Sequence, residues 1–249
     1  MIDISSYHPQ RKLLANKVIL ITGSTSGIGR EASITFSQFG AKTILLGKNI
    51  ELLEETYELI VSNNLEKPIL HALDFDQAEE EQYFQIAESV LQEYGKLDGL
   101  LNNAGILGKK ISIEDYNLKE WRKVLKVNLE SGFLLTKSLL PALRKANNSS
   151  IVFTSSGVGR KGKAYWGAYS VSKFAVEGLV QILAEELENT SNIRVNAINP
   201  GSTRTKMRVE AYPAENPKYN PTPKDIMNAY LYLMGEDSIG CNGKSIDAQ

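Results

Sequence analysis

At 249 residues and 27.6 kDa, with 42% hydrophobic and 23% charged residues, the chain has the composition of one large α/β domain or two small ones, which excludes disordered and fibrous classes. A net charge of -1 and a pI near 6.2 give no electrostatic basis for nucleic acid or an anionic membrane as partner. The single cysteine, Cys241, excludes an internal disulfide and any cysteine-based metal site, and His8 and His71 are too few and too scattered for a histidine cluster.

The arm Met1–Asn16 carries Asp3, His8, Arg11 and Lys12 and no apolar stretch of signal-peptide length, and no later run approaches the ~20 apolar residues of a membrane helix. A soluble, cytoplasmic protein is expected. From residue 17 on, short apolar runs predict strands at Val18–Thr22, Thr43–Leu46, Ile69–Leu73, Leu97–Leu101, Ile151–Thr154, Arg194–Ile198 and around Lys244–Ile246. Helical patterns lie between them at Gly29–Phe39, Glu51–Ser62, Glu79–Glu93, Leu118–Lys145, Gly167–Glu188 and Lys224–Met234. This rhythm predicts βαβ units, hence a doubly wound α/β fold of Rossmann type with about seven parallel strands covered on both faces. No linker or composition shift divides residues 17–249, so one domain is expected. Between Lys206 and Pro223 the prolines at 213, 217, 221 and 223 forbid a long helix, and the segment reads as a lid.

The first strand runs into Thr22-Gly23-Ser24-Thr25-Ser26-Gly27-Ile28-Gly29, and a helix follows. Glycines at these positions allow a tight turn, close approach of backbone to a pyrophosphate and close packing of helix on strand. The helix amino end then offers N–H groups and a positive dipole end to phosphate. An NAD site would place a carboxylate at the end of the second strand, against the ribose hydroxyls. Here that strand ends Gly47-Lys48-Asn49, and Glu51 comes only inside the next helical pattern. Lys48, with Arg30 as a second cation, suits the 2′-phosphate of NADP.

Tyr169 and Lys173 stand four residues apart and leave one face of a helix. A nearby ammonium stabilises tyrosinate, so Lys173 is expected to lower the pKa of Tyr169 and fit it for general acid–base work.

The T-G-x-x-x-G-x-G turn, the segment Asn102-Asn103-Ala104-Gly105, the pair Tyr169/Lys173 and Pro200-Gly201 with Thr205 together resemble the short-chain dehydrogenase/reductase family, over nearly all of the chain from Lys17 to about Ile246. Within that family the wording Phe153–Arg160, Trp166–Tyr169, Asn199–Met207 and Ile246–Gln249 is similar to the bacterial YciK group of oxidoreductases. The resemblance implies a hydride transfer between NADP(H) and a carbonyl or alcohol substrate, with NAD less favoured. Tyr169 would be the general acid/base, Ser156 would orient the substrate oxygen, Lys173 would hold tyrosinate and the nicotinamide ribose, and Asn128 would hold a water in a proton path. Ser155 is the local competitor of Ser156. For the cofactor it implies Gly23, Ser24, Thr25, Ser26, Gly27 and Ile28; Lys48 and Asn49; Asp74 and Phe75 near the adenine; Asn103, Ala104 and Gly105; and Pro200, Gly201, Thr203 and Thr205. For Asn102 a structural role is as good a reading as cofactor contact. Met207, Tyr212 and Tyr219 are candidate lid contacts, and Tyr165 and Trp166 could line the pocket or a subunit contact. Lys109 and Lys110 read as solvated surface. The resemblance also implies a homodimer or homotetramer built on the apolar faces of Leu129–Leu143 and Ala175–Leu187. The last strand closes with Asp247-Ala248-Gln249 where the family ends on D-G-G, which leaves that side of the pocket open to question. Two other readings stay open. One is a catalytically silent NADP-sensing regulator, which would carry a degraded catalytic set; the other is an isomerase or lyase using transient oxidation, which would carry a longer substrate domain.

Overall fold

In the computed structural model, which describes residues 6–249, the apolar runs pair side by side and the helical patterns cover them. The strands are β1 (Val18–Thr22), β2 (Lys42–Gly47), β3 (Ile69–Ala72), β4 (Gly99–Asn102), β5 (Ser149–Thr154), β6 (Ile193–Asn199) and β7 (Ser245–Asp247). All pairings are parallel, in the order β3-β2-β1-β4-β5-β6-β7. The strand order reverses direction between β1 and β4, so a crevice opens past their carboxyl ends, the place where such sheets take ligands.

Alternate side chains of each strand enter opposite cores, as the pleat requires. On one face Val18, Leu20, Leu100, Ile151 and Phe153 pack against α3 (Glu80–Tyr94), α5 (Ser131–Leu143) and α6 (Gly167–Glu188). On the other, Ile19, Ile21, Val152 and Ile198 pack against α1 (Gly27–Gln38), α2 (Ile50–Val61) and α8 (Met227–Met234). Burial on both faces explains why these strands read as continuous apolar runs.

Two elements differ from expectation. The single helix expected over Leu118–Lys145 is α4 (Leu118–Leu125), then a π-turn over Lys126–Glu130, then α5. The lid segment is not structureless: Lys206–Ala211 forms α7, capped by Thr205, whose Oγ1 accepts from Arg208 N at 3.2 Å. The first proline of the segment stands at 213, beyond this turn, and leaves it free to wind. The arm expected over residues 1–16 begins outside the described residues. From Tyr7 it straps α8, with Tyr7 Oη donating to Asp237 at 2.6 Å and Leu14 fully buried. Among the described residues, no helix is long and apolar enough to cross a membrane.

Candidate active site

The glycine turn and the loop after β4 meet at the sheet crossover. A Cβ on Gly29 would lie 2.3 Å from the Gly23 carbonyl oxygen and 2.7 Å from Asn103 Nδ2, so only glycine lets α1 start this close to β1. Ser26 stands at the N-cap of α1 without a side-chain cap, and no acid occupies the first turn, whereas Asn49 caps α2 and Asn117 caps α4. The first amides of α1 are therefore unmatched by any side chain and suited to an anion. Thr205 closes this mouth from the far side: its methyl would meet a Cβ on Gly27 at 3.3 Å.

Several side chains expected at the cofactor already have partners within the protein. Ser24 is fully buried; its N–H donates to Leu46 O and its hydroxyl to Ile21 O, so it braces the turn. Thr203 is likewise inward, donating to Pro200 O at 2.8 Å. The Asn49 side-chain oxygen is taken by Leu52 N. Asn102 donates to Thr136 Oγ1 and acts as a brace, while Thr22 Oγ1 accepts from the backbone of both Asn103 and Ala104. Phe75 stacks on Tyr83. At the end of β2, Lys48 Nζ lies 2.7 Å from Asp74 Oδ2, which joins two residues expected to meet different parts of the cofactor. Arg30 is paired with Glu55 at 2.9 Å.

The other half of the crevice holds the four residues expected to do acid–base work. Asn128 sits in the π-turn, which is a frequent device at functional sites. Its Oδ1 accepts from Ile106 N at 2.8 Å, and its Nδ2 donates to Ile106 O and to Ser172 Oγ. Lys173 is buried and donates to Thr154 O at 2.7 Å, with its Nζ 5.6 Å from the centre of the Tyr169 ring. A cavity of about 10 Å³ lies among Asn102, Asn128, Thr154 and Lys173. The Ser156 hydroxyl accepts from Val158 N at 3.4 Å and lies near the Tyr169 phenol. Ser155 is turned the other way, its Oγ donating to Glu177 at 2.5 Å, so the geometry separates the two serines.

Burial dominates the electrostatics here. It pushes the Tyr169 phenol up to about 12, opposed by the hydrogen bond with Ser156. The phenol is therefore raised where the nearby ammonium alone would lower it, because burial outweighs that attraction. Burial likewise brings Lys173 down to about 8, opposed by the charge of Glu177.

Glu177 is the residue that sequence reasoning passed over. One turn beyond Lys173, its carboxylate accepts from Ser155 and from Ser245 Oγ at 2.7 Å, with Arg160 Nε at 3.5 Å. Arg160 also reaches Asp247 at 2.8 Å, and Asp247 accepts from Asn199 Nδ2. Gln249 Nε2 donates to Pro200 O at 2.6 Å. The unusual carboxyl end thus ties the Ser156 loop and the Pro200-Gly201 turn together. The signal was present: Tyr169, Lys173 and Glu177 recur every four residues. Gly159 completes this side, since a Cβ there would strike the Lys173 backbone at 2.9 Å.

Over the phenol lies an apolar wall of Leu107, Trp166, Ala211 and, partly buried, Val158, Met207 and Tyr212. The segment expected to be a lid contributes Met207 and Tyr212 to this wall, whereas Tyr219 and Tyr165 are exposed and do not join it. Trp166 packs on Tyr169, with ring centres 5.6 Å apart.

Comparison with known proteins fits this geometry. The sequence pattern of the short chain dehydrogenase family matches residues 17–216. The uncharacterized oxidoreductase YciK of Escherichia coli K12 is 46% identical over 98% of this chain and 96% of its own length. Two solved structures superpose with TM-scores of 0.94: a short chain dehydrogenase of Shigella flexneri 2a complexed with NADP and one of Escherichia coli CFT073 complexed with NADPH. Each is 45% identical; they cover 96% and 97% of this chain, and each is matched over 100% of its own length.

Proposed function

The chain belongs to the short-chain dehydrogenase family, an oxidoreductase family, and from that premise we propose that it is an NADP-dependent oxidoreductase acting on a carbonyl or alcohol group through Tyr169, Ser156, Lys173 and Asn128. The observation that carries the reading is the gathering of four groups at the crevice: Ser156 near the Tyr169 phenol, the Lys173 ammonium 5.6 Å from the centre of that ring, and Lys173 and Asn128 lining one small cavity.

The cradle fits the cofactor. The uncapped start of α1 and the glycine turn would hold the pyrophosphate, and Thr205 would close over it. Lys48, at a strand end without an acid, would meet the 2′-phosphate once released from Asp74; the relatives complexed with NADP and NADPH support that choice. When bound, NADPH supplies the hydride that the carbonyl carbon receives. Ser156 holds the carbonyl oxygen, and Tyr169, kept protonated by its burial, donates the phenolic proton to that oxygen. Lys173 stabilises the tyrosinate that remains. Asn128 and Lys173 border a cavity about large enough for one water, which would return the proton. In the oxidative direction the same groups run in reverse.

The exposed apolar residues Phe133 on α5 and Val171, Phe174 and Ile182 on α6 suit a homo-oligomer, which light scattering coupled to gel filtration would measure. Activity is tested with a panel of carbonyls and alcohols, with NADPH and NADP, beside Tyr169→Phe. Turnover by the wild type and a loss of at least about 100-fold in the variant are expected; full activity of Tyr169→Phe would refute the assignment.

A further inference from the structure

The wall above Tyr169 has a cationic rim. Lys110 Nζ lies 4.9 Å from the centre of the Trp166 ring and 4.5 Å from that of Tyr212, and donates to Ala211 O at 2.6 Å. Lys163 Nζ donates to Tyr212 Oη at 2.9 Å and stands 5.2 Å from the same ring. Arg208 lies 3.9 Å from the centre of the same ring, but Glu215 neutralises it through two hydrogen bonds of 2.6 Å. Among the described residues, neither lysine has a carboxylate within 4.0 Å. Tyr212, the group they surround, offers only the partial charge of a phenol oxygen, and its pKa is lowered chiefly by the Lys163 hydrogen bond.

Both lysines are exposed, as expected of Lys110. Their ammonium groups nonetheless lie over aromatic faces, an arrangement that favours a cation by about 0.5–1 kcal/mol at an exposed site, and each has further N–H groups to donate. The shelf they border is continuous with Tyr169: Trp166 is the one ring between the Lys110 ammonium and the Tyr169 ring.

We propose that the substrate is an oxo acid or hydroxy acid whose anionic group binds at Lys110 and Lys163 while its reacting carbon lies at Tyr169 and its chain along Trp166. The proposal rests on the hydride-transfer reading above and adds the substrate class. A ring's breadth separates the two ends, so the anion stands several bonds from the carbonyl, and a 2-oxo acid is too short. Carboxylate and phosphate share this chemistry, and the probes distinguish them.

The test compares 4-oxopentanoate, 6-oxoheptanoate and 8-oxononanoate with their methyl esters and with a phosphate-ended ketone of matched length, using NADPH. A preference for the longer acids over their esters of about tenfold in kcat/KM, carried by KM, is expected, and it weakens with added salt. In Lys110→Met and Lys163→Met, which keep the apolar stem, the acid-to-ester ratio falls about threefold each. Equal turnover of acids and esters, or a ratio that survives in the double variant, would overturn the substrate class and leave hydride transfer standing. If nothing is turned over, calorimetric titration of the NADPH-loaded protein decides separately. Acid binding that both lysine variants weaken supports the site, and no binding overturns it.

Discussion

Replacing Lys173 with methionine removes a buried ammonium from the centre of the site, and proton linkage sets the size of the effect. In the folded protein burial brings this lysine from 10.5 down to about 8, while in the unfolded chain it titrates near its ordinary value of about 10.4. Below about 8 both states hold the proton, and the cost of burying the charge is present in full. Between the two values the unfolded chain holds the proton and the folded protein does not, so stability rises with pH across that window. The gap corresponds to about 3 kcal/mol. Tyr169, pushed up to about 12, works in the other direction only above its ordinary value, from roughly pH 10 upward. The assay is urea unfolding of wild type and Lys173→Met from pH 7 to 10, in which the variant cancels every other titrating group. The wild type is expected to gain about 2–3 kcal/mol on the variant over that range. Parallel stability curves would refute the reasoning, because they would mean that Lys173 titrates alike in both states.

The same values govern the rate. In the reductive direction Tyr169 is protonated throughout the usable range, so activity should fall as pH rises through about 8, where Lys173 loses its charge. Glu177→Gln removes the charge that supports Lys173, and the fall should move to lower pH; an unmoved profile in a folded variant would show that Glu177 does not act on it. Gly29→Ala forces a Cβ to within 2.3 Å of a backbone oxygen and should cost about 2 kcal/mol in urea unfolding and weaken NADPH binding, both measurable on one preparation. Lys48→Met should lower the ratio of NADPH to NADH affinity about tenfold, read by fluorescence titration of each nucleotide.

The strands were legible because burial on both faces writes apolar runs, and the glycine turn was legible because close backbone approach demands glycine there. What stayed hidden was the division of labour inside motifs. Ser24 and Thr203 look like cofactor contacts by position, yet each hydroxyl is consumed by a carbonyl of its own turn. Sequence spacing assigns residues to a loop but does not tell which way each side chain leaves it. The π-turn was invisible for a related reason. It changes the hydrogen-bond register of Lys126–Glu130 without changing the apolar pattern on either side, so one helix was read where three segments stand. At Tyr169 the spacing to Lys173 shows a neighbouring cation but not the burial of both groups, which raises the phenol and lowers the lysine.

The opposed shifts bear on how the site works. Burial drives the two groups apart, the phenol from 10.0 up to about 12 and the lysine from 10.5 down to about 8, so the site favours the neutral form of each. Burial alone would carry the lysine further down. The charge of Glu177 opposes it, and Glu177 is held in turn by Ser155, Ser245 and Arg160. The carboxyl-terminal strand is therefore linked to the Lys173 ammonium by way of Glu177, through Ser245 directly and through Asp247 and Arg160, rather than through any contact with the phenol.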